Sequence, residues 1–219
     1  MRFNESTLDA LKQTTVVIGE KLFEKNYLAA CDGNISFKYD NKIYITKSGS
    51  YLWGMEKDDF AIVSLEGEII ENTPSSELPL HLRIYQRTNA QAVIHAHPVN
   101  AIALSVAKPE LASIPDNILS ELAICAGVVP IVAFARPGSE LIADAISPYL
   151  EKSKNMILAK HGVLSYGDSL KEAFFGVNRI EHTCEVLVKA LSVGQLSTIS
   201  ESDVEVLWQI RQQVGHISR

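Results

Sequence analysis

Cysteine is scarce in this sequence: Cys31, Cys125 and Cys184 stand far apart, are odd in number and form no Cys-x-x-Cys pair. That excludes a disulfide framework and a cysteine-rich zinc cluster, and it suits a reducing, cytoplasmic setting. Tracts of consecutive basic residues are absent too, and 20 Lys+Arg against 26 Asp+Glu give a net charge of −6. Nucleic-acid binding, which rests on a concentrated positive footprint, is therefore disfavoured. No apolar run reads as a membrane span: the uncharged stretch 88–107 holds Asn89, Gln91, His95, His97, Pro98 and Asn100, too many polar groups to leave water. The first residues lead into mixed charges without the apolar core of a secretory leader, so a soluble protein is expected.

What is present is 219 residues, closer to one domain than to two at about 150 residues per domain, and residues 1–219 are read as a single α/β domain. Leu8, Leu11, Ile18 and Leu22 keep a helical spacing, with Ser6 and Asp9 as the N-terminal cap and an end near Asn26. The period then changes. Residues 35–39 and 42–46 alternate around Asp40-Asn41, a two-residue turn of the kind that closes a hairpin, and 61–65 and 68–70 repeat the pattern around Glu66-Gly67. From Pro74 onward the spacing predicts helices over 76–87, after Pro98, and over 118–126, 139–150, 169–191 and 201–214. Strands are predicted at 92–95, 131–133 and 156–159. Hairpins followed by alternating elements imply a mixed, largely antiparallel central sheet flanked by helices.

His95-Ala96-His97 ends an apolar strand, where side chains two apart project to the same side and can chelate one metal ion. The plainer alternative is a pair of histidines hydrogen-bonded at a strand end. A third candidate ligand is His161, directly after the strand 156–159, with Gly162 letting the backbone turn sharply; it can equally be an ordinary turn residue. Three neutral imidazoles with an open fourth position suit a catalytic zinc ion. Glu77, after Pro74-Ser75-Ser76, can be a general base or a displaceable fourth ligand. It can also be a helix-start carboxylate favoured by the dipole, with Ser75 or Ser76 as the cap. Asp32-Gly33-Asn34 and Thr46-Lys47-Ser48-Gly49-Ser50 expose backbone N–H groups and small polar donors of the kind that cradle a phosphate.

Taken in order, Gly33-Asn34-Ile35-Ser36, Thr46-Lys47-Ser48-Gly49, Pro74-Ser75-Ser76-Glu77, His95-Ala96-His97 and Lys160-His161-Gly162 resemble the class II aldolase/adducin family. The nearest match in length and motifs is to its bacterial and archaeal enzymes that cleave L-fuculose 1-phosphate. The resemblance takes in the helix 169–191 as well. It implies a zinc ion on His95, His97 and His161, Glu77 as the catalytic acid/base, and Gly33, Asn34, Ser48, Gly49, Ser75 and Ser76 around a substrate phosphate. It further implies a small phosphorylated sugar as substrate, cut reversibly into dihydroxyacetone phosphate and a short aldehyde, and a cyclic homotetramer with sites between neighbouring subunits. Two tyrosines of those enzymes lack counterparts: one falls near Leu119, and no tyrosine follows Tyr166 to match the other in the tail. Ribulose-phosphate 4-epimerases of the same superfamily usually carry Asp at the place of Glu77, whereas methylthioribulose-phosphate dehydratases carry Glu and stay in contention. A metal-free, adducin-like interaction module is the rival of another class, and the retained histidines and Glu77 weigh against it.

Overall fold

The structure, a computed structural model, describes residues 5–213. The first four residues, and Val214 at the expected end of the last helix, lie outside the described residues. Helix α1 spans Leu8–Glu24 and is capped by Thr7, whose Oγ1 accepts from Ala10 N at 3.2 Å, rather than by the Ser6/Asp9 pair. Asn26, at φ 59°, takes the left-handed conformation that stops a helix. Strands β1 (Asn34–Tyr39) and β2 (Lys42–Thr46) form the expected hairpin, with Asp40 and Asn41 both at positive φ as its tight turn requires. Strand β3 (Phe60–Ser64) pairs with β4 (Ile69–Glu71), which starts one residue later than expected, and their register shifts at Ile62/Val63.

Helix α2 (Leu78–Arg87) begins two residues after the expected start, and β5 (Ala92–Ala96) and α3 (Val99–Ala107) follow. The helix expected over 118–126 is reduced to one π-helical turn, Leu122–Ala126, ended by Gly127 at φ 70°. Strand β6 is only Ile131–Val132. Helix α4 (Glu140–Ile146) stops short of 150 and passes into a 3₁₀ turn, Ser147–Tyr149, since Pro148 has no N–H to continue the α ladder. Strand β7 (Asn155–Leu158) is followed by β8 (Gly162–Gly167), which the sequence pattern did not predict. All six β8 residues are buried, so the strand lacks the polar alternation that marks a half-exposed one. The long helices α5 (Leu170–Val193) and α6 (Glu201–Gln213) complete the described chain.

The eight strands form one sheet in the order β4-β3-β2-β1-β5-β8-β7-β6, antiparallel except for the β6/β7 pair. Period-two alternation divides the core: Tyr44 packs on one face with Leu11, Ile18, Val177 and Ile180, whereas Ile43 and Ile45 pack on the other with Leu80, Ile84, Ile142 and Ile146. Helices α1, α3 and α5 therefore cover one face and α2 and α4 the other. Antiparallel pairing then brings ends together. Asn34 at the start of β1 pairs with His95 near the end of β5, and Ala96 pairs with Val163 at the start of β8. An isolated bridge between Lys47 and Pro74 lays the segment leading to Glu77 beside the end of β2.

Candidate metal centre and anion pocket

His95, His97 and His161 meet at this shared end of the sheet, and one ligand atom from each lies within 4.8 Å of the others. Each of the first two rings is held from behind. His95 Nδ1 sits 3.0 Å from Val163 O, and His97 Nδ1 sits 3.1 Å from Asp32 Oδ2. Both outer partners are pure acceptors, so each Nδ1 carries a hydrogen and Nε2 is the atom left to take a cation. These two Nε2 atoms stand 2.8 Å apart. His97 is also fixed through its backbone, which donates to Tyr27 O, and α3 just beyond it is capped by the buried Glu181 carboxylate, which accepts from the N–H of Asn100 and Ala101.

Gly162 is needed here for space: a Cβ at this position would lie 2.5 Å from Ala96 O and under 3 Å from the rings of His95 and His97. The sharp turn expected of it is made instead by Lys160, at φ 60°. Burial, with His97 and His161 alongside, pushes His95 well below the ordinary histidine range. Burial lowers His161 too, against the opposing pull of Glu77. His161 Nδ1 and Glu77 Oε1 are buried without hydrogen-bond partners. Three converging imidazoles, outer acceptors that hold two of them and the orphaned His161 Nδ1 fit a bound divalent cation.

Glu77 is the N-cap residue of α2, yet its side chain makes no capping bond. It turns inward and is 6 % exposed, with Oε2 3.0 Å from His95 Nε2 and Oε1 3.5 Å from His161 Nε2. Asn34 Nδ2 donates to Glu77 Oε2 at 3.2 Å. Behind Asn34 a buried polar chain continues through His81, Ser36 and Tyr85. Sequence reasoning missed that chain. The available signal was the spacing of Glu77, His81 and Tyr85, four residues apart on one helix face, against Asn34 and Ser36, two apart on one strand face.

Gly33, Asn34, Ser48, Gly49, Ser75 and Ser76 all line one pocket of about 190 Å³ together with Glu77, His97 and His161. Lys47 joins them, ion-paired with Asp59 at 2.9 Å, and Pro137 closes one side. Ser75 Oγ accepts from Glu77 N at 3.3 Å, so it serves the turn ahead of α2 and does not cap the helix. Leu119, at the place of one missing tyrosine, packs part-buried against the core. A groove of about 1100 Å³ between the π turn, α5 and α6 is larger. Chemistry favours the smaller pocket, which lies against the only group of three histidine, cysteine or acidic residues among the described residues that could hold a metal ion.

A family model described as "Class II Aldolase and Adducin N-terminal domain" matches residues 13–188. The L-fuculose phosphate aldolase of Methanococcus vannielii is 31% identical over 166 residues, which are 75% of this chain and 88% of that one. The 3-oxo-tetronate 4-phosphate decarboxylase of Haemophilus influenzae is 28% identical over 206 residues, 90% of this chain and 96% of the other. The crystal structure of L-fuculose-1-phosphate aldolase from Thermus thermophilus superposes with a TM-score of 0.77 at 28% identity, covering 85% of this chain and 98% of that one. With its sheet, its histidine cluster and these relatives in agreement, the chain belongs to the class II aldolase and adducin family and is an enzyme of the lyase type.

Proposed function

We propose that the protein is a zinc-dependent aldolase that cleaves a ketose 1-phosphate of the L-fuculose 1-phosphate type into dihydroxyacetone phosphate and a short aldehyde. The observation that carries the reading is the single pocket in which six small residues of the kind that cradle a phosphate, Glu77 and two of the three histidines face one another. A divalent cation held by His95, His97 and His161 would supply a Lewis acid beside the substrate carbonyl. Zinc suits the all-nitrogen donor set. Gly33, Asn34, Ser48, Gly49, Ser75 and Ser76 would hold the phosphate through backbone N–H, amide and hydroxyl donors. In cleavage the C4 hydroxyl gives its proton to Glu77, the C3–C4 bond breaks, and its electron pair passes to the carbonyl side. Glu77 then delivers a proton to C3, and in synthesis it takes that proton back. A cyclic homotetramer, as the family resemblance implies, and a reducing cytoplasm, which three free cysteines suit, belong to the same reading.

A second reading is favoured by the decarboxylase relative, which matches more of this chain than the aldolase does. Loss of CO₂ from a 3-oxo acid leaves its electron pair on the same carbonyl side, and the same proton delivery follows. A 3-oxo-tetronate 4-phosphate then yields dihydroxyacetone phosphate as well, so that product alone cannot separate the two reactions. The co-product can. Zinc-loaded protein should release dihydroxyacetone phosphate plus lactaldehyde from L-fuculose 1-phosphate, with Glu77→Gln slower by about 10²-fold or more. Release from the oxo acid alone, with CO₂, would transfer the assignment to the decarboxylase, and release from neither would overturn both.

A further inference from the structure

The donors in the buried chain behind Glu77 all point one way. Asn34 Nδ2 donates to Glu77 Oε2, which turns Asn34 Oδ1 toward His81. An amide oxygen only accepts, so His81 Nε2 carries the hydrogen and donates at 2.5 Å. His81 Nδ1 is then bare, and the Ser36 hydroxyl, 2.7 Å away, must donate into it. With its own proton committed, Ser36 Oγ accepts from the Tyr85 hydroxyl at 2.8 Å. All five residues are buried, His81 and Ser36 completely. Only a neutral imidazole can accept at one nitrogen and donate at the other. Burial provides one, pushing His81 down to about 3 against the opposing charge of Glu77.

The consequence falls on the two oxygens of Glu77. Oε2 receives the Asn34 amide and lies 3.0 Å from His95 Nε2, while Oε1, 3.5 Å from His161 Nε2, is buried with no hydrogen-bond partner. Were Asn34 to flip, its carbonyl oxygen would face the carboxylate, and its NH₂ would face the His81 N–H unless the whole chain reversed, which would turn the Tyr85 hydroxyl proton away from Ser36, its hydrogen-bond partner in this buried chain. We propose that His81 is a positioning residue: by locking the orientation of the Asn34 amide it engages Glu77 Oε2 and reserves Oε1 as the oxygen that takes and returns the substrate's proton. The proposal rests on Glu77 being the proton-transferring group of the proposed function, whichever carbon–carbon bond is cut.

Two measurements test it. In ¹⁵N-histidine-labelled wild-type holoenzyme, His81 should show a protonated Nε2 and a bare Nδ1 throughout the range from about pH 5 to pH 8. The opposite tautomer, or a doubly protonated ring, would overturn the proposal without reference to turnover. In the product assay that the wild type passes, His81→Met, which fills the space without polar links, should lower kcat about tenfold while KM and metal content stay as they are. His81→Gln, whose amide can donate to Asn34 and accept from Ser36, should recover most of the loss. Unchanged kcat in His81→Met, or equal losses in both variants, would reduce His81 to core packing. If the wild type turns over neither substrate, the proposed function fails and the tautomer alone decides the direction of the chain.

Discussion

A histidine sealed from water gives up its proton before it gives up its place, and that makes His81 a source of acid sensitivity. Burial pushes its pKa from the ordinary 6.5 down to about 3 in the folded chain, so below 6.5 the unfolded chain binds a proton that the folded one refuses. Stability therefore rises with pH across that window and is lost as pH falls, by about 1.4 kcal/mol per unit, or about 2 kcal/mol between pH 6.5 and pH 5. Buried His95 adds to the slope in the same direction. Urea unfolding of metal-free protein at a series of pH values should show the decline, and His81→Gln should flatten it by roughly one proton's worth. An equal slope in both proteins would mean that His81 titrates normally. Nothing in the local string Leu78-Pro79-Leu80-His81 announces this residue, because its role comes from what β1 places opposite it. The three histidines and Glu77, by contrast, each allowed a plainer reading as a strand-end, turn or helix-start residue, and the order of five short motifs is what singled them out.

At the scale of elements, what could be read were segments whose neighbours in space are also neighbours in sequence. The β1–β2 hairpin is one, its Asp40-Asn41 turn fixing both strands. Strand β8 is the counterexample: lying between β5 and β7, it is buried on both faces, and its Gly-Val-Leu-Ser-Tyr-Gly composition has no period to detect. The stretch 118–126 errs the other way, apolar at helical intervals yet held by tertiary contacts as one π turn, with Arg211 of α6 donating to Ile124 O at 2.7 Å. The 74–77 segment both shapes the turn ahead of α2 and lines the pocket, and its serines separate the two. Ser75 Oγ accepts from Glu77 N, so Ser75→Ala should cost ~1 kcal/mol of stability, the net worth of one hydrogen bond, as well as affinity. Ser76 lines the pocket without such a bond, and Ser76→Ala should raise KM for phosphorylated substrates about tenfold with kcat and melting temperature nearly unchanged. Kinetics unaltered in Ser76→Ala would remove it from phosphate recognition.

Across the whole molecule, the histidine cluster is a junction. His95 comes from the end of β5, His97 from the step into α3, His161 from the turn between β7 and β8, and Glu77 from the start of α2 on the other face of the sheet. A cation bound there would tie together elements from both layers, and because the unfolded chain holds the ligands far apart, binding energy becomes folding energy. At a free zinc concentration about a thousand times Kd the gain is about 4 kcal/mol. For a chain of this size that corresponds to a rise on the order of 10 °C in melting temperature. Chelation should therefore lower the melting temperature of the wild type by that order, and added zinc should restore it. His161→Ala removes a proposed ligand whose Nδ1 is without a hydrogen-bond partner. It should melt close to the metal-free wild type and respond weakly to either treatment. A wild type indifferent to chelation would show no tightly held metal, and a full response persisting in His161→Ala would place the metal away from these histidines; in either case the proposed cleavage would lose its Lewis acid.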